Sequence, residues 1–504
     1  MPGRLGGAGL VLGAAGFALL LAAPPLPGLS AEGQRALAAA DLMAVWWISE
    51  AVPIYATALL PWVLFPLLGL GGPGELARAY GHHLIFLFLG GFLLAAALQR
   101  WGVHEHLALA VLARLGAAPR RLVLGVMLAT ALLSMWISDT AATLVMLPLA
   151  LGLVAELEGQ GRLPEGLAPC LMLGVAYAAL IGGMATLVGT PPNLVFAGMM
   201  ERLFPEAPPI GFLDWMLVGL PASALFLPLA WLYLTRVAFR LPGRPPAGGE
   251  GAAALLARRR QALGPMAPGA RRAALVFALT ALAWVSRRGL DLGPVHWPGW
   301  QGLLGLKGVG DATVAVAGAL LLFLLPAGGG RRRALLSWEE AAGIPWGVLL
   351  LFGGGLALAD AVRASGLAAW LAHALEPLAG LHPLLMVLAV CLAMTFLTEL
   401  TSNTAVTTVF LPVLAAAAVA GGMDPRLLMV PAALSASCAF MLPVATPPNA
   451  IAFASGRIRA RQMARVGLGL NLIGVAVIAS CVYLVGVPAL GLALHHPPPW
   501  AAGP

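Results

Sequence analysis

Charge is scarce in this chain of 504 residues: acidic and basic side chains together make up 10% of it, and Lys307 is the only lysine. A solvated globular surface needs roughly 25% charged residues, so most of the chain cannot face water. Cysteine occurs four times. Cys170, Cys391, Cys438 and Cys481 all sit in apolar stretches and read as small buried hydrophobes, with no disulfide or metal framework. The nine histidines fall in loops, at segment ends or near the termini. No Ser/His, paired-Asp or zinc-ligand arrangement lies inside an apolar segment, so an enzyme is not expected and no catalytic residue is assigned. Nucleic acid is not an expected partner either, because the formal charge of +8 comes mostly from arginines in loops.

What is abundant is hydrophobic side chain, at 60% of the residues and a mean hydropathy of +0.91. The fold class is an all-α polytopic membrane protein whose first partner is the lipid bilayer. Apolar segments predict eleven transmembrane helices near 8–23, 36–50, 53–70, 84–98, 168–186, 213–235, 272–286, 312–327, 344–361, 427–443 and 466–488. The first run follows Arg4 and has no clear small-x-small site before Pro24-Pro25, so it reads as a retained span rather than a cleaved signal. Two further regions, 121–157 and 382–420, are too long for one crossing and carry a polar cluster at the centre. Each reads as a re-entrant helical hairpin with a polar tip at the midplane.

Charge orients these elements. With the N-terminus cytoplasmic, 21 of the 29 basic residues fall on the inside, the bias expected of cytoplasmic loops. The first hairpin then enters from the cytoplasm, the second from outside, and the C-terminus lies outside. Leu89-Gly90-Gly91-Phe92-Leu93 followed by Arg100 parallels Gly353-Gly354-Gly355-Leu356-Ala357 followed by Arg363, in spans of opposite direction. This predicts two inverted repeats, 1–235 and 272–504, joined by a flexible cytoplasmic Arg/Pro/Gly linker at 236–271. Segments 103–117 and 366–376 read as helices lying flat at the interface.

A polar motif occurs twice. Ser138-Asp139-Thr140 precedes Gly189-Thr190-Pro191-Pro192-Asn193, and Ser402-Asn403-Thr404 precedes Ala445-Thr446-Pro447-Pro448-Asn449. Adjacent prolines break a helix and free carbonyls one turn earlier. The half-helix that restarts presents free N–H groups and a positive dipole end. Free carbonyls suit a hard cation such as Na⁺, while N–H groups and hydroxyls suit an anion. No lysine lies near either copy, so an anion there would be held by dipoles, hydroxyls and co-bound cations.

With Trp46-Trp47-Ile48-Ser49-Glu50-Ala51-Val52-Pro53-Ile54, these paired motifs resemble the divalent anion:sodium symporter family, the carriers of dicarboxylates, citrate and sulfate, over about residues 36 to 485. The resemblance implies a secondary active transporter in the cell's inner membrane, a homodimer and an elevator motion of a transport domain against a static scaffold. It implies that Na⁺ is co-transported and not a prosthetic group. One Na⁺ site would involve Ser134, Ser138, Asp139 and Gly189, the other Thr398, Thr401, Ser402, Asn403 and Ala445. A small anionic substrate would meet Ser138, Asp139, Thr140, Thr190, Pro191, Ser402, Asn403, Thr404, Thr446 and Pro447. C4-dicarboxylate is the first choice and sulfate the second.

Asp139 departs from the family's usual Ser-Asn-Thr. An acid at the midplane is a functional residue by default. It serves either as a Na⁺ ligand or as the seat of proton coupling, and the alternative function is a proton-coupled carrier, cation/proton antiporter or oxyanion efflux carrier of the wider group. Glu50 and Glu399, near span breaks or hairpin arms, read as residues that cap or brace a hairpin. Asp360 and Arg363 are spaced to pair on one helix, and the histidines, His82-His83 included, are not read as a metal site.

Overall fold

Proline, glycine and polar clusters cut this apolar chain into helices shorter than its hydrophobic runs. The computed structural model describes residues 4–115, 118–243, 257–258, 260–291, 296–328, 333–378 and 380–501. Of the expected linker, residues 244–256 and 259 lie outside the described residues. Regular structure among the described residues is helical apart from a ribbon pairing Leu290 with Trp297 and Asp291 with His296.

Among the described residues, seven helices are long and apolar enough to cross a membrane: Pro73–Arg100, Asp139–Gly159, Phe212–Ala238, Pro268–Arg287, Trp346–Ala364, Asn403–Ala420 and Ala460–Leu490. Two of them, Asp139–Gly159 and Asn403–Ala420, are arms of the expected hairpins rather than expected spans. Several expected spans are shorter than they read. The run at 53–70 divides into Ile54–Thr57 and Pro61–Leu68, the second starting at its proline. Those at 168–186 and 427–443 stop at Gly183 and Ser435. Short helices at Val103–Leu115 and Leu367–Ala374 occupy the two segments expected to lie flat.

Each region expected to form a hairpin holds two helices separated by its polar cluster. The first runs Pro119–Ser134 and Asp139–Gly159, the second Pro383–Leu397 and Asn403–Ala420. Each descending arm starts on a proline in its first turn, where the missing N–H costs nothing. Each ascending arm starts at a serine N-cap: Ser138 Oγ accepts from Ala141 N at 3.3 Å and Ser402 Oγ from Ala405 N at 3.4 Å.

A helix follows each hairpin, breaks, and restarts. The first comprises Leu167–Gly183 and Pro191–Leu203, the second Arg426–Ser435 and Pro447–Ala454. Every residue of Arg426–Ser435 is buried, and all but one of Leu167–Gly183. Helices apolar all round belong in the middle of a protein. By contrast Pro268–Arg287 exposes Leu275, Leu279 and Leu282, a stripe of helical spacing fit for lipid.

The halves interlock. Pro191–Leu203 packs on the second hairpin's arm Asn403–Ala420, and Pro447–Ala454 packs on the first hairpin's arm Asp139–Gly159. The helices that follow the breaks, Phe212–Leu232 and Ala460–Cys481, pack on one another, and each continues into a π-helical turn. Around this centre, Asp311–Leu324 packs on His83–Arg100, and Trp346–Ala364 on Pro73–Tyr80 and Pro191–Leu203. A buried Arg287–Asp311 pair (2.6 Å) ties the outer helices, with the other Asp311 oxygen accepting Phe212 N–H at 3.0 Å. Arg287 Nη1 donates in addition to Gln301 Oε1 (2.7 Å) and Val309 O (3.3 Å), the kind of added bonding under which a buried pair is tolerated.

Candidate functional site

Both helix breaks are set by the residue after the proline pair. Asn193 Nδ2 donates to the carbonyls of Gly183 (3.1 Å) and Thr186 (2.7 Å). Asn449 Nδ2 donates to those of Ala439 (2.8 Å) and Leu442 (3.0 Å). The acceptors stand ten and seven residues upstream in both copies. Each amide thus bridges carbonyls that the break has freed, and holds the unwound stretch against the restarting half-helix. The threonines before the prolines share one extended conformation, φ −146° and ψ 142° at Thr190, φ −144° and ψ 151° at Thr446. Proline then takes the first helical position in each.

Close approach is needed at the first break. A Cβ on Gly189 would collide with the Gly183 carbonyl, so only glycine lets the unwound strand fold back on the helix end.

Each hairpin tip is bound to the break of its own half, by different chemistry. In the first half the contacts are hydroxyl to carbonyl: Ser134 Oγ donates to Ala179 O at 2.6 Å, and Thr186 Oγ1 to Met135 O. In the second half a carboxylate does it. Glu399, 3% exposed, accepts from three consecutive backbone N–H groups, Phe440 and Met441 on Oε1 (2.7 and 2.8 Å) and Leu442 on Oε2 (3.0 Å). Asn471 Nδ2 adds a fourth bond to Oε1 at 2.8 Å. The expectation that Glu399 braces the hairpin therefore holds. Glu50 is instead an exposed helix C-cap in the left-handed region, φ 48°. Tyr177 joins the halves, its hydroxyl donating to Phe440 O at 2.8 Å.

At the first tip, Asp139 Oδ1 accepts from Thr140 N at 2.6 Å and Thr140 Oγ1 at 3.3 Å. Neither bond requires a proton on the carboxyl group, and no hydrogen bond among the described residues reaches Oδ2. Ser138, Asp139 and Thr140 are half-buried, as are Ser402, Asn403 and Thr404. Asn403 Oδ1 is buried with no partner. Thr190, Thr446, Gly189 and Ala445 are buried, Pro191 is half-buried and Pro447 exposed. Thr446 Oγ1 accepts from Asn449 N at 3.4 Å, whereas Thr190 makes no such bond.

Two expected cation ligands of the second half donate their hydroxyl protons to carbonyls, which leaves their oxygen lone pairs available. Thr398 Oγ1 donates to Met394 O (3.0 Å) and Thr395 O (3.1 Å) within its own helix, and Thr401 Oγ1 donates to Trp47 O at 3.4 Å. That last contact brings the Trp46–Ile54 motif against the second tip. Trp47 is fully buried and its indole N–H donates to Ile54 O at 3.0 Å. Asp360 does not pair with Arg363. It meets Arg202 at 3.2 Å, because Pro191–Leu203 packs against its helix and presents a nearer guanidinium.

The site also contains residues that the motifs did not assign to it: Asn193, Asn449, Asn471 and Tyr177. The two asparagines were visible in the motif itself, as the only amides following a helix-breaking pair. Asn471 and Tyr177 carry no local signal, since their partners lie 72 and 263 residues away.

Among solved structures, the YdaH transporter of Alcanivorax borkumensis aligns with a TM-score of 0.56 at 14% identity, over 92% of this chain and 100% of that one. The antimetabolite efflux pump MtrF of Neisseria gonorrhoeae aligns with a TM-score of 0.56 at 13% identity, over 98% and 96%. At such identities the likeness is one of fold. In sequence, the chain is 41% identical to the sodium-dependent dicarboxylate transporters SdcS of Staphylococcus saprophyticus and Staphylococcus aureus, over 97% of its own length and 93% of theirs. The sodium:sulfate symporter transmembrane region matches residues 8–490. With both motif copies inside that span, the chain belongs to the sodium:sulfate symporter family.

Proposed function

We propose that this protein is a Na⁺-coupled symporter for a small divalent anion, with C4-dicarboxylate ahead of sulfate. The observation that carries it is the 41% identity, nearly end to end, with sodium-dependent dicarboxylate transporters, both motif copies lying within the alignment. Local geometry supports it. Two serine-capped tips and two proline-broken helices offer hydroxyls, bare carbonyls and half-helix N-termini with no lysine nearby. Ser134, Ser138, Asp139 and Gly189 form one Na⁺ site, and Thr398, Thr401, Ser402, Asn403 and Ala445 the other. Ser138, Asp139, Thr140, Thr190, Pro191, Ser402, Asn403, Thr404, Thr446 and Pro447 face the substrate.

The two repeats are inverted, the N-terminus is cytoplasmic and the C-terminus outside, with eleven spans. The hairpins, broken helices and the helices after them move as an elevator against the remaining spans, in a homodimer. Asp139 is read as a Na⁺ ligand, since its Oδ2 accepts no hydrogen bond among the described residues and is open to a cation.

The test is counterflow in proteoliposomes with labelled succinate and labelled sulfate, with and without Na⁺, across a pH series. Succinate exchange that needs Na⁺ is expected, with weaker sulfate exchange. Uptake driven by a proton gradient without Na⁺ would favour the proton-coupled reading, and exchange of neither anion would overturn the proposal.

A further inference from the structure

Away from the central site, two histidines and a glutamate converge. His82 Nε2 lies 3.3 Å from Glu201 Oε2, and His83 Nε2 lies 3.6 Å from Glu201 Oε1. One ligand atom from each residue falls within 4.8 Å of the others. The imidazole rings stand 4.5 Å apart, tilted by 39°. His82 and Glu201 are mostly covered, with side chains 11% and 21% exposed, while His83 is 53% exposed and opens the cluster to solvent. Nδ1 of His82 is buried without a hydrogen-bond partner, so that ring is not committed to a structural bond on its other side.

We propose that His82, His83 and Glu201 form an inhibitory site for a divalent transition metal of the Zn²⁺ class. Two imidazoles and a carboxylate are a borderline-soft ligand set of the kind Zn²⁺ prefers. Ligands about 2.1 Å from a tetrahedral Zn²⁺ stand about 3.4 Å apart; each imidazole Nε2 lies near that distance from a different Glu201 oxygen, and with one atom from each residue within 4.8 Å of the others a small side-chain adjustment brings the three ligands onto one ion. The exposed side leaves a position for water. Nearby charge is balanced, since the adjacent Arg202 is paired with Asp360 at 3.2 Å.

The placement gives the site its effect. His82 and His83 begin the outer span His83–Arg100, whereas Glu201 ends the half-helix Pro191–Leu203, whose first residue belongs to the first Thr-Pro-Pro-Asn motif. A metal at this point pins the far end of the half-helix to a neighbouring span. In the proposed orientation the cluster faces outside, where a metal ion reaches it directly. The inhibition rests on the proposed transport reading. The binding does not.

The experiment uses the full-length protein, purified metal-free, in a buffer without chelating carboxylates. Zn²⁺ titration is followed by metal analysis of the washed protein, and Na⁺-dependent succinate uptake is measured in proteoliposomes with and without external Zn²⁺. One Zn²⁺ per chain is expected, with uptake inhibited and restored by a chelator. His82→Ala combined with His83→Ala, and separately Glu201→Gln, should keep uptake in the absence of metal and weaken Zn²⁺ binding by about 100-fold or more. No stoichiometric binding, or binding unchanged in these variants, overturns the site. Binding that leaves uptake unaffected overturns the inhibitory role. If no uptake is seen under any condition, the transport reading fails and the metal titration alone decides the site.

Discussion

The two halves of the site use the same backbone and divide their acids differently. Each has a serine-capped tip, a broken helix stapled by asparagine and a threonine four residues into the ascending arm that bonds back to the tip residue, Thr143 to Asp139 O and Thr407 to Asn403 O. Each also has one carboxylate at its hairpin tip, but not at matching positions. Counted from the capping serine, Glu399 stands where the first half has Met135, and Asp139 where the second half has Asn403. Glu399 is consumed by four hydrogen bonds; Asp139 accepts only from its neighbour Thr140. A buried carboxylate with every oxygen engaged is a structural part, and one with an oxygen to spare at a half-exposed tip is available to a ligand. The two motif copies thus carry their acids at different positions, one bound up in the backbone and one with an oxygen to spare.

The largest effect expected from breaking this comparison is at Glu399. Glu399→Ala leaves three backbone N–H groups and the Asn471 amide buried without an acceptor. Each orphaned group costs about 1–3 kcal/mol. Loss of transport and a large fall in the thermal midpoint of the detergent-solubilised protein are expected. Glu399→Gln should be intermediate, because one oxygen is replaced by an amide nitrogen that faces donors. At the matching position, Met135→Leu should leave both readouts nearly unchanged, since only its carbonyl binds the break. A well-folded, active Glu399→Ala protein would contradict the division of roles.

Asp139→Asn probes the other acid. Removing the charge while keeping the shape should raise the Na⁺ concentration for half-maximal transport by about tenfold, equivalent to about 1.4 kcal/mol. The ranking of dicarboxylate and sulfate should not change, and neither should the thermal midpoint. A Na⁺ series at several pH values decides it. Unchanged Na⁺ and pH dependence would remove Asp139 from the cation site.

How far all this was legible beforehand depends on the range of the interaction. The interruptions after Ser134 and Leu397 were legible because a polar cluster in the middle of an apolar run is a local signal, and a helix ends and another begins on either side of each cluster. The broken helices were legible at their restarting ends, where proline pairs are unmistakable. Their first halves were not. The helix expected to reach 443 stops at Ser435, because Glu399 and Asn449 hold the following backbone in an unwound form. Nothing in residues 436–443 announces an acid 41 residues upstream. Asp360 makes the same point, since the i+3 arginine is visible in sequence and the Arg202 that displaces it is not.

The smallest difference lies at the two threonines that precede the prolines. Their backbones match within about 10°, yet only Thr446 caps its half-helix, accepting from Asn449 N, while Thr190 makes no capping bond. Valine keeps the branched shape and deletes the hydroxyl. Thr446→Val should therefore cost about 1 kcal/mol of stability, the usual worth of a threonine cap, and Thr190→Val close to nothing. In transport both substitutions should weaken substrate affinity, because both hydroxyls face the proposed anion. Thr190→Val is then the cleaner probe, since its affinity change carries no stability change with it. An equal drop in thermal midpoint for the two variants would mean that Thr190 caps its helix as well, and the asymmetry would shrink to the carboxylates alone.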